Sequence, residues 1–182
     1  TSVVRVSPLI ALTPYQGDLD FGTNYMGAKA GGDPNIFETE IHSGLYRGTI
    51  LIELDRIGCG DGFEKDLAPE ERANRVKALL AALKNLWASG RQSRFLADIS
   101  PKFVAAAMLK AKNPIFLESV RVEGDSTINA AMIQETLSDY HEEIAASVIG
   151  IRTGAFNGDI ADAVTIGDAF ATMASWVDEY YG

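Results

Sequence analysis

The segment Tyr15–Tyr46 constrains this chain most: it is too long for an ordinary connection and too rich in glycine and turn residues to be one regular element. It runs Tyr-Gln-Gly-Asp-Leu-Asp-Phe-Gly-Thr-Asn-Tyr-Met-Gly from Tyr15 to Gly27, passes Gly31-Gly32-Asp33-Pro34-Asn35 and returns through Phe37–Gly48. Loops of this length on a compact domain are functional or disordered, and Asp33-Pro34-Asn35 marks a turn. The segment feeds a β-strand expected over Thr49–Ile57. There Ile50, Ile52 and Leu54 share one face, and Thr49, Glu53 and Asp55 share the other with Leu51, the pattern of a half-buried strand.

The rest reads as mixed α and β. Val3–Val6 is a β-branched strand that Pro8 ends or turns into an edge. Pro69-Glu70-Glu71 opens a helix, with proline and acids where a first turn accepts them. Ala73, Val76, Leu80, Leu83 and Trp87 form its inward stripe, and Ser89-Gly90 stops it. Phe103–Leu109 is open between strand and helix, its alanines favouring helix. Ile115–Val122 reads as a strand. Ser126–Ile144 reads as a helix with Ile128, Met132, Leu137 and Tyr140 inward, Ala146–Ile151 as a short strand, and the stripe Ile166, Phe170, Met173, Val177, Tyr180 as a last helix. From Thr49 to Ile151 the order strand, helix, strand, strand, helix, strand is compatible with a ferredoxin-like α+β sandwich. With 182 residues, 47% of them hydrophobic, the chain has enough for one cored domain. No apolar run reaches a membrane span. The single cysteine, Cys59, excludes an intrachain disulfide and fits a reducing, cytoplasmic setting. A first residue of Thr with a strand directly behind it suggests a fragment or a processed product.

The net charge of −9 argues against nucleic acid, yet the charge is segregated. Residues 72–112 carry nine Lys or Arg against the lone Asp98, between two strongly acidic flanks. Such a block either makes a local positive patch or pairs with the acids around it. Inside it, Gly90-Arg91-Gln92-Ser93-Arg94 is a short basic loop after a helix. Gly90 permits close backbone approach, and Arg91 and Arg94 offer planar forks for phosphate oxygens. The alternative is a helix-end cation cluster favoured by the macrodipole. In the long segment, Asn24, Tyr25, Met26 and Lys29 combine hydrogen bonding, stacking or wedging, and charge, a tip suited to insertion between bases or to packing on a neighbouring subunit.

Catalytic and metal signals are weak. His42 and His141 are far apart. Glu38-x-Glu40-x-His42 places three candidate ligands on one face of an extended run, but local hydrogen bonding explains them better. Asp18-x-Asp20 reads as solvated turn carboxylates rather than an acid–base pair. Asp20-Phe21-Gly22 lacks every other part of a kinase signature, and neither a Walker nor a Rossmann sequence is present. No metal and no cofactor is expected.

At Arg5-Val6-Ser7-Pro8-Leu9, Gly17-Asp18-x-Asp20-Phe21-Gly22-Thr23-Asn24, Glu38-Thr39-Glu40-Ile41-His42-x-Gly44-Leu45-Tyr46 and Gly90-Arg91-x-x-Arg94, the chain resembles the DevR-type CRISPR-associated backbone proteins. The likeness runs from Val3 to about Leu117. It implies an RRM-like, ferredoxin-like palm with a long thumb hairpin, stacked side by side along guide RNA in a type I Cascade. On that reading residues 1–182 are one domain: 15–46 a thumb-like insertion, 47–122 palm, and 123–182 a helical C-terminal part. Family members carry a first palm strand before the region matched here, which makes this palm incomplete. The resemblance assigns crRNA contacts to Gly90, Arg91, Ser93 and Arg94, and a base-spacing role to the Asn24, Tyr25, Met26 and Lys29 tip. The expected protein is a non-catalytic backbone subunit in antiviral defence. Its partners are crRNA, target DNA through base pairing, other copies of itself and other Cascade subunits, with no membrane. The alternatives are a metal-dependent endoribonuclease using Asp18, Asp20 or Asp98, or a purely structural assembly protein.

Overall fold

The structure is a computed structural model that describes residues 2–23, 26, 29–32, 35–60, 62, 64–87, 96–124 and 126–182. The chain divides into two compact units: residues 1–7 with 49–182, and Pro8–Gly48. No described helix is long and apolar enough to cross a membrane.

In the larger unit, β1 (Val4–Val6) pairs antiparallel with β6 (Ile50–Ile52), Val4 opposite Ile52. A second sheet has the order β11–β10–β7, in which β7 (Phe103–Leu109) is antiparallel and β11 (Val164–Thr165) parallel to the central β10 (Ile144–Ile151). Helices α1 (Pro69–Lys84) and α3 (Ile166–Tyr181) pack on each other and share one core. Ile57, Ala73, Val76, Leu80, Phe170 and Val177 are buried in it, with Val3, Ile52, Leu54 and Val104 against them. Gly150 allows α3 to lie close on β10, since a Cβ there would stand 2.6 Å from Ala169 Cβ and 2.8 Å from Val104 Cγ1. A second core forms on the other face of the sheet. Ile133 of α2 (Ala130–Asp139) is 0% exposed there, beside Ile128, Ile149, Phe103 and Phe116. Asn129 caps α2 by accepting from Met132 N at 3.1 Å, and Thr165 caps α3 by accepting from Asp168 N at 3.1 Å.

The smaller unit is mostly one hairpin. β3 (Gly17–Thr23) pairs antiparallel with β4 (Ile36–His42), Leu19 opposite Glu40 and Phe21 opposite Glu38, and short β2 (Ile10–Ala11) pairs with β5 (Tyr46–Arg47).

Several expectations are corrected. The strand at Thr49–Ile57 stops at Ile52, and Leu54–Arg56 is a 3-10 turn. Its cause is Arg72, which donates through Nε to Ile57 O at 2.6 Å and through Nη2 to Asp55 O at 2.9 Å, while Tyr181 Oη donates to Leu54 O. A side chain thus takes carbonyls that a strand ladder would have used. Phe103–Leu109, open between strand and helix in the sequence, is strand: pairing with β10 outweighs the propensity of three alanines. Ile115–Val122 is a run of turns in which Ile115 N donates to Asn113 O and Leu117 N to Pro114 O, both at 3.0 Å. Strand β8 there is only Val122–Glu123, joined to β9 (Thr127–Ile128). The helix expected over Ser126–Ile144 is therefore shorter, with Ile133 rather than Tyr140 facing inward.

Candidate nucleic-acid interface

Gly90, Arg91, Ser93 and Arg94 lie outside the described residues, as do Asn24 and Tyr25. What the structure shows is the frame on either side of each. In the smaller unit, Met26 and Lys29 stand in the connection between β3 and β4, where Ala30 N donates to Met26 O at 3.1 Å. Met26 is 75% exposed and Lys29 is exposed.

The hairpin carries one face of mixed character. Leu19, Phe21 and Ile36 share it with Glu38, Glu40 and His42. The Glu38-x-Glu40-x-His42 alignment expected from the sequence is thus present, but its groups engage neighbours. Tyr15 Oη donates to Glu40, and His42 lies between the rings of Tyr15 at 5.1 Å and Tyr46 at 5.9 Å. The Glu40 carboxylate beside it pushes the Tyr15 phenol up to about 12. Asp18 and Asp20 share the opposite face with Phe37 and Ile41.

In the larger unit the basic block resolves mostly into pairs. Arg72 is turned inward on carbonyls, with its guanidinium 4.9 Å over the Tyr181 ring. Arg75 meets Glu71 at 2.9 Å, Lys77 meets Asp178 at 2.6 Å, and Lys110 donates to Glu142 O at 2.8 Å. Lys112 donates to Asp55 at 2.7 Å and to the buried Glu53 at 3.0 Å, which also receives Arg5 at 2.6 Å and Arg56 at 3.2 Å. Lys112 and Arg56 hold the Glu53 carboxyl below its usual range, and the Asp55 and Glu53 carboxylates raise Lys112. Pairing with acidic flanks thus accounts for Arg75, Lys77 and Lys112, while Arg72 and Lys110 are held by backbone carbonyls.

The residues flanking the basic loop are different. Lys84 closes α1 and has no ionic partner among the described residues. Trp87, expected in the stripe of α1, lies past the helix end set by Asn85 and is 69% exposed. Its spacing continued the stripe, but the helix did not. On the far side, Leu96 is 83% exposed. Asp98 receives Lys102 and, at 3.2 Å, Arg152, while Ser100 donates to it from Oγ at 2.6 Å and from N at 3.0 Å. The Lys102 ammonium and the Ser100 donors hold the Asp98 carboxyl well below the usual carboxylate range. A cavity of about 560 Å³ opens among Lys84, Asp98, Ser100, Arg152, Thr165 and Gly167. Among the described residues no group of three His, Cys, Asp or Glu could hold a metal ion.

A family model described as CRISPR-associated negative auto-regulator DevR/Csa2 matches residues 1–131. The chain belongs to this family. Among solved structures, this DevR/Csa2-family chain is similar to a chain described as "CRISPR RNA-guided surveillance complex, pre-nicking", at 16% identity and a TM-score of 0.59. That likeness covers 97% of this chain and 55% of the other, so the chain spans about half the length of this neighbour. No curated protein matches it.

Proposed function

We infer that the chain is a non-catalytic, guide-RNA-binding backbone subunit of a type I CRISPR surveillance complex. The observation that carries this reading is the family match over residues 1–131, which takes in both the hairpin and the basic loop. The β1–β6 pair and the β11–β10–β7 sheet belong to an RRM-like palm, and the β3–β4 hairpin is its thumb. Gly90, Arg91, Ser93 and Arg94 hold guide phosphates, leaving the bases free to pair with target DNA. Exposed Trp87 at the entrance to that loop supplies a face on which a base stacks. Asn24, Tyr25, Met26 and Lys29 at the thumb tip space the bases and meet the next copy. The net charge of −9 is no obstacle, because the contacts are local.

The test is RNA affinity of the assembled complex as a function of salt, with Arg91→Ala/Arg94→Ala beside the parent. Loss of the pair lowers the slope of log K against log salt by roughly 0.7 to 1.4, as expected for one or two phosphate contacts on a single strand. Unchanged affinity would remove the site. The same complex with complementary RNA and Mg²⁺ leaves the RNA uncut; regular cleavage abolished by Asp20→Asn would make the protein an enzyme instead.

A further inference from the structure

Most ion-pairing members of the basic block have a carboxylate each. Arg75 has Glu71, Lys77 has Asp178, and Lys112 has both Asp55 and Glu53. Around the cavity at the end of α1 the balance is different. Lys84 is half-buried on its wall and has no ionic partner among the described residues. Asp98, on the same wall, accepts from two cations at once, Lys102 and Arg152. Arg152 reaches it through Nη1 at 3.2 Å, and its side chain is still 57% exposed.

A cation held partly out of water without a counter-charge is costly, and an anion beside it removes that cost. The cavity and the groups bonded to its wall carry three cations, Lys84, Lys102 and Arg152, against two carboxylates, Asp98 and Asp168. Asp168 stands in the first turn of α3 and accepts from Thr165 Oγ1 at 2.7 Å, so the helix end is already answered and the surplus is that of side chains. The volume of about 560 Å³ falls within the range of small-ligand sites, about 300–1,000 Å³. Position points to the ligand. Lys84 precedes Gly90–Arg94 in the chain and Asp98 follows it, so residues on both sides of the basic loop line the cavity.

We propose that this cavity is a separate phosphate subsite for a single-stranded nucleic acid, with Lys84 and Arg152 as its contacts. Lys84 meets the phosphate as a point charge, and the Arg152 guanidinium, held by Asp98 through Nη1, offers its remaining N–H groups to the oxygens. Arg152 directly follows β10 and lies outside both the basic block and residues 1–131, the span the family model matches. The subsite therefore brings in a residue that neither the charge pattern nor the loop sequence singles out, and only the fold sets it across from Lys84. The inference rests on the guide-RNA reading and extends it from the loop to the cavity beside the loop's two ends.

The test is the salt dependence of RNA affinity in the assembled complex, with Lys84→Gln and Arg152→Gln beside Lys77→Gln as a control of equal charge change. Each of the first two is expected to lower the slope of log K against log salt by roughly 0.7 per copy of the chain, one contact on a single strand. Lys77→Gln, whose cation already has Asp178, is expected to leave it unchanged. An equal fall in all three would show a general charge effect and overturn the subsite. Unchanged slopes for Lys84→Gln and Arg152→Gln, with a fall for Arg91→Ala/Arg94→Ala, would overturn the subsite and leave the RNA reading standing; no fall in any of them would remove both. Inorganic phosphate separates the sources: a rise in melting temperature that Lys84→Gln abolishes, with the RNA slope unchanged, would make the ligand a free phosphate and overturn the strand. Should the variants fail to assemble, amine acylation of the parent complex decides. Lys84 is expected to react at least roughly fivefold more slowly with RNA bound than after ribonuclease treatment, because an ammonium held on phosphate must leave it to react. Equal rates would overturn the proposal.

Discussion

Residues 8–48 and the rest of the chain treat their apolar side chains in opposite ways. In the larger unit Ile133, Val76, Ala169, Val177 and Phe170 are buried in two cores on the two faces of a sheet. In the hairpin unit the one buried residue among those described is Thr39, while Leu19, Phe21, Ile36, Phe37 and Tyr15 are exposed. A two-stranded hairpin is marginal in water on its own. What orders this one is visible: seven consecutive ladder pairs, the Tyr15–Glu40 hydrogen bond, and His42 between two tyrosine rings. The larger unit is held by burial, the hairpin by backbone pairing with its apolar groups left over. Exposed apolar clusters of this kind mark interaction surfaces.

The largest effect expected is on the burial side. Ile133→Ala empties a fully buried site and should cost about 2–5 kcal/mol in denaturant unfolding. Exchange of hairpin amides should not follow it; if they loosen equally, the two units are energetically one and the comparison fails. Next is Gly150→Ala, whose Cβ would press on Ala169 and Val104. Overpacking of that kind costs about 1–3 kcal/mol. No loss of stability would mean that α3 shifts freely on the sheet.

Acid sharpens the contrast in another way. The folded pKa of Glu53 is depressed, so its contribution is fully present above its ordinary value of 4.5 and is lost as pH falls toward the lower folded value. Melting temperature of the larger unit should drop through that window, and Glu53→Gln should flatten the drop while lowering stability at pH 7. A profile unchanged by the substitution would show that Arg5, Arg56 and Lys112 find other partners.

These contrasts also explain what could be read in advance. The stripes of α1 from Ala73 to Leu83 and of α3 from Ile166 to Val177, and the β10 strand, were legible because period and composition agree with burial there, whereas Tyr180 at the end of the α3 stripe is exposed and Tyr181 packs on the core instead. Phe103–Leu109 was ambiguous because alanine is small enough for either state, and only the distant β10 decides. Glu53–Ile57 misled because its alternation was that of a strand, while the deciding group, the Arg72 guanidinium, comes from another element. Trp87 fell in phase with a helix that had already ended. For the site, the charge segregation was legible but its meaning was not: Lys77, Lys102, Lys110 and Lys112 look alike in a sequence, and only the fold brings Asp178, Asp98, Glu142 and Glu53 to them.

The smallest stability effect belongs to the hairpin, and it separates the two regions most cleanly. Phe21 is 65% exposed and faces Glu38 across the ladder. Phe21→Thr puts another residue of high β-propensity in the strand, so it should change unfolding free energy by no more than about 0.5 kcal/mol, as surface substitutions do. If the proposed function holds, recovery of the chain in a surveillance complex should nevertheless fall, because the exposed apolar face has been cut. Size-exclusion profiles of the complex, read beside the melting curve of the chain, test both halves. A variant that melts early but assembles normally would mean that Phe21 serves folding, and that the hairpin follows the same rule of burial as the rest of the molecule.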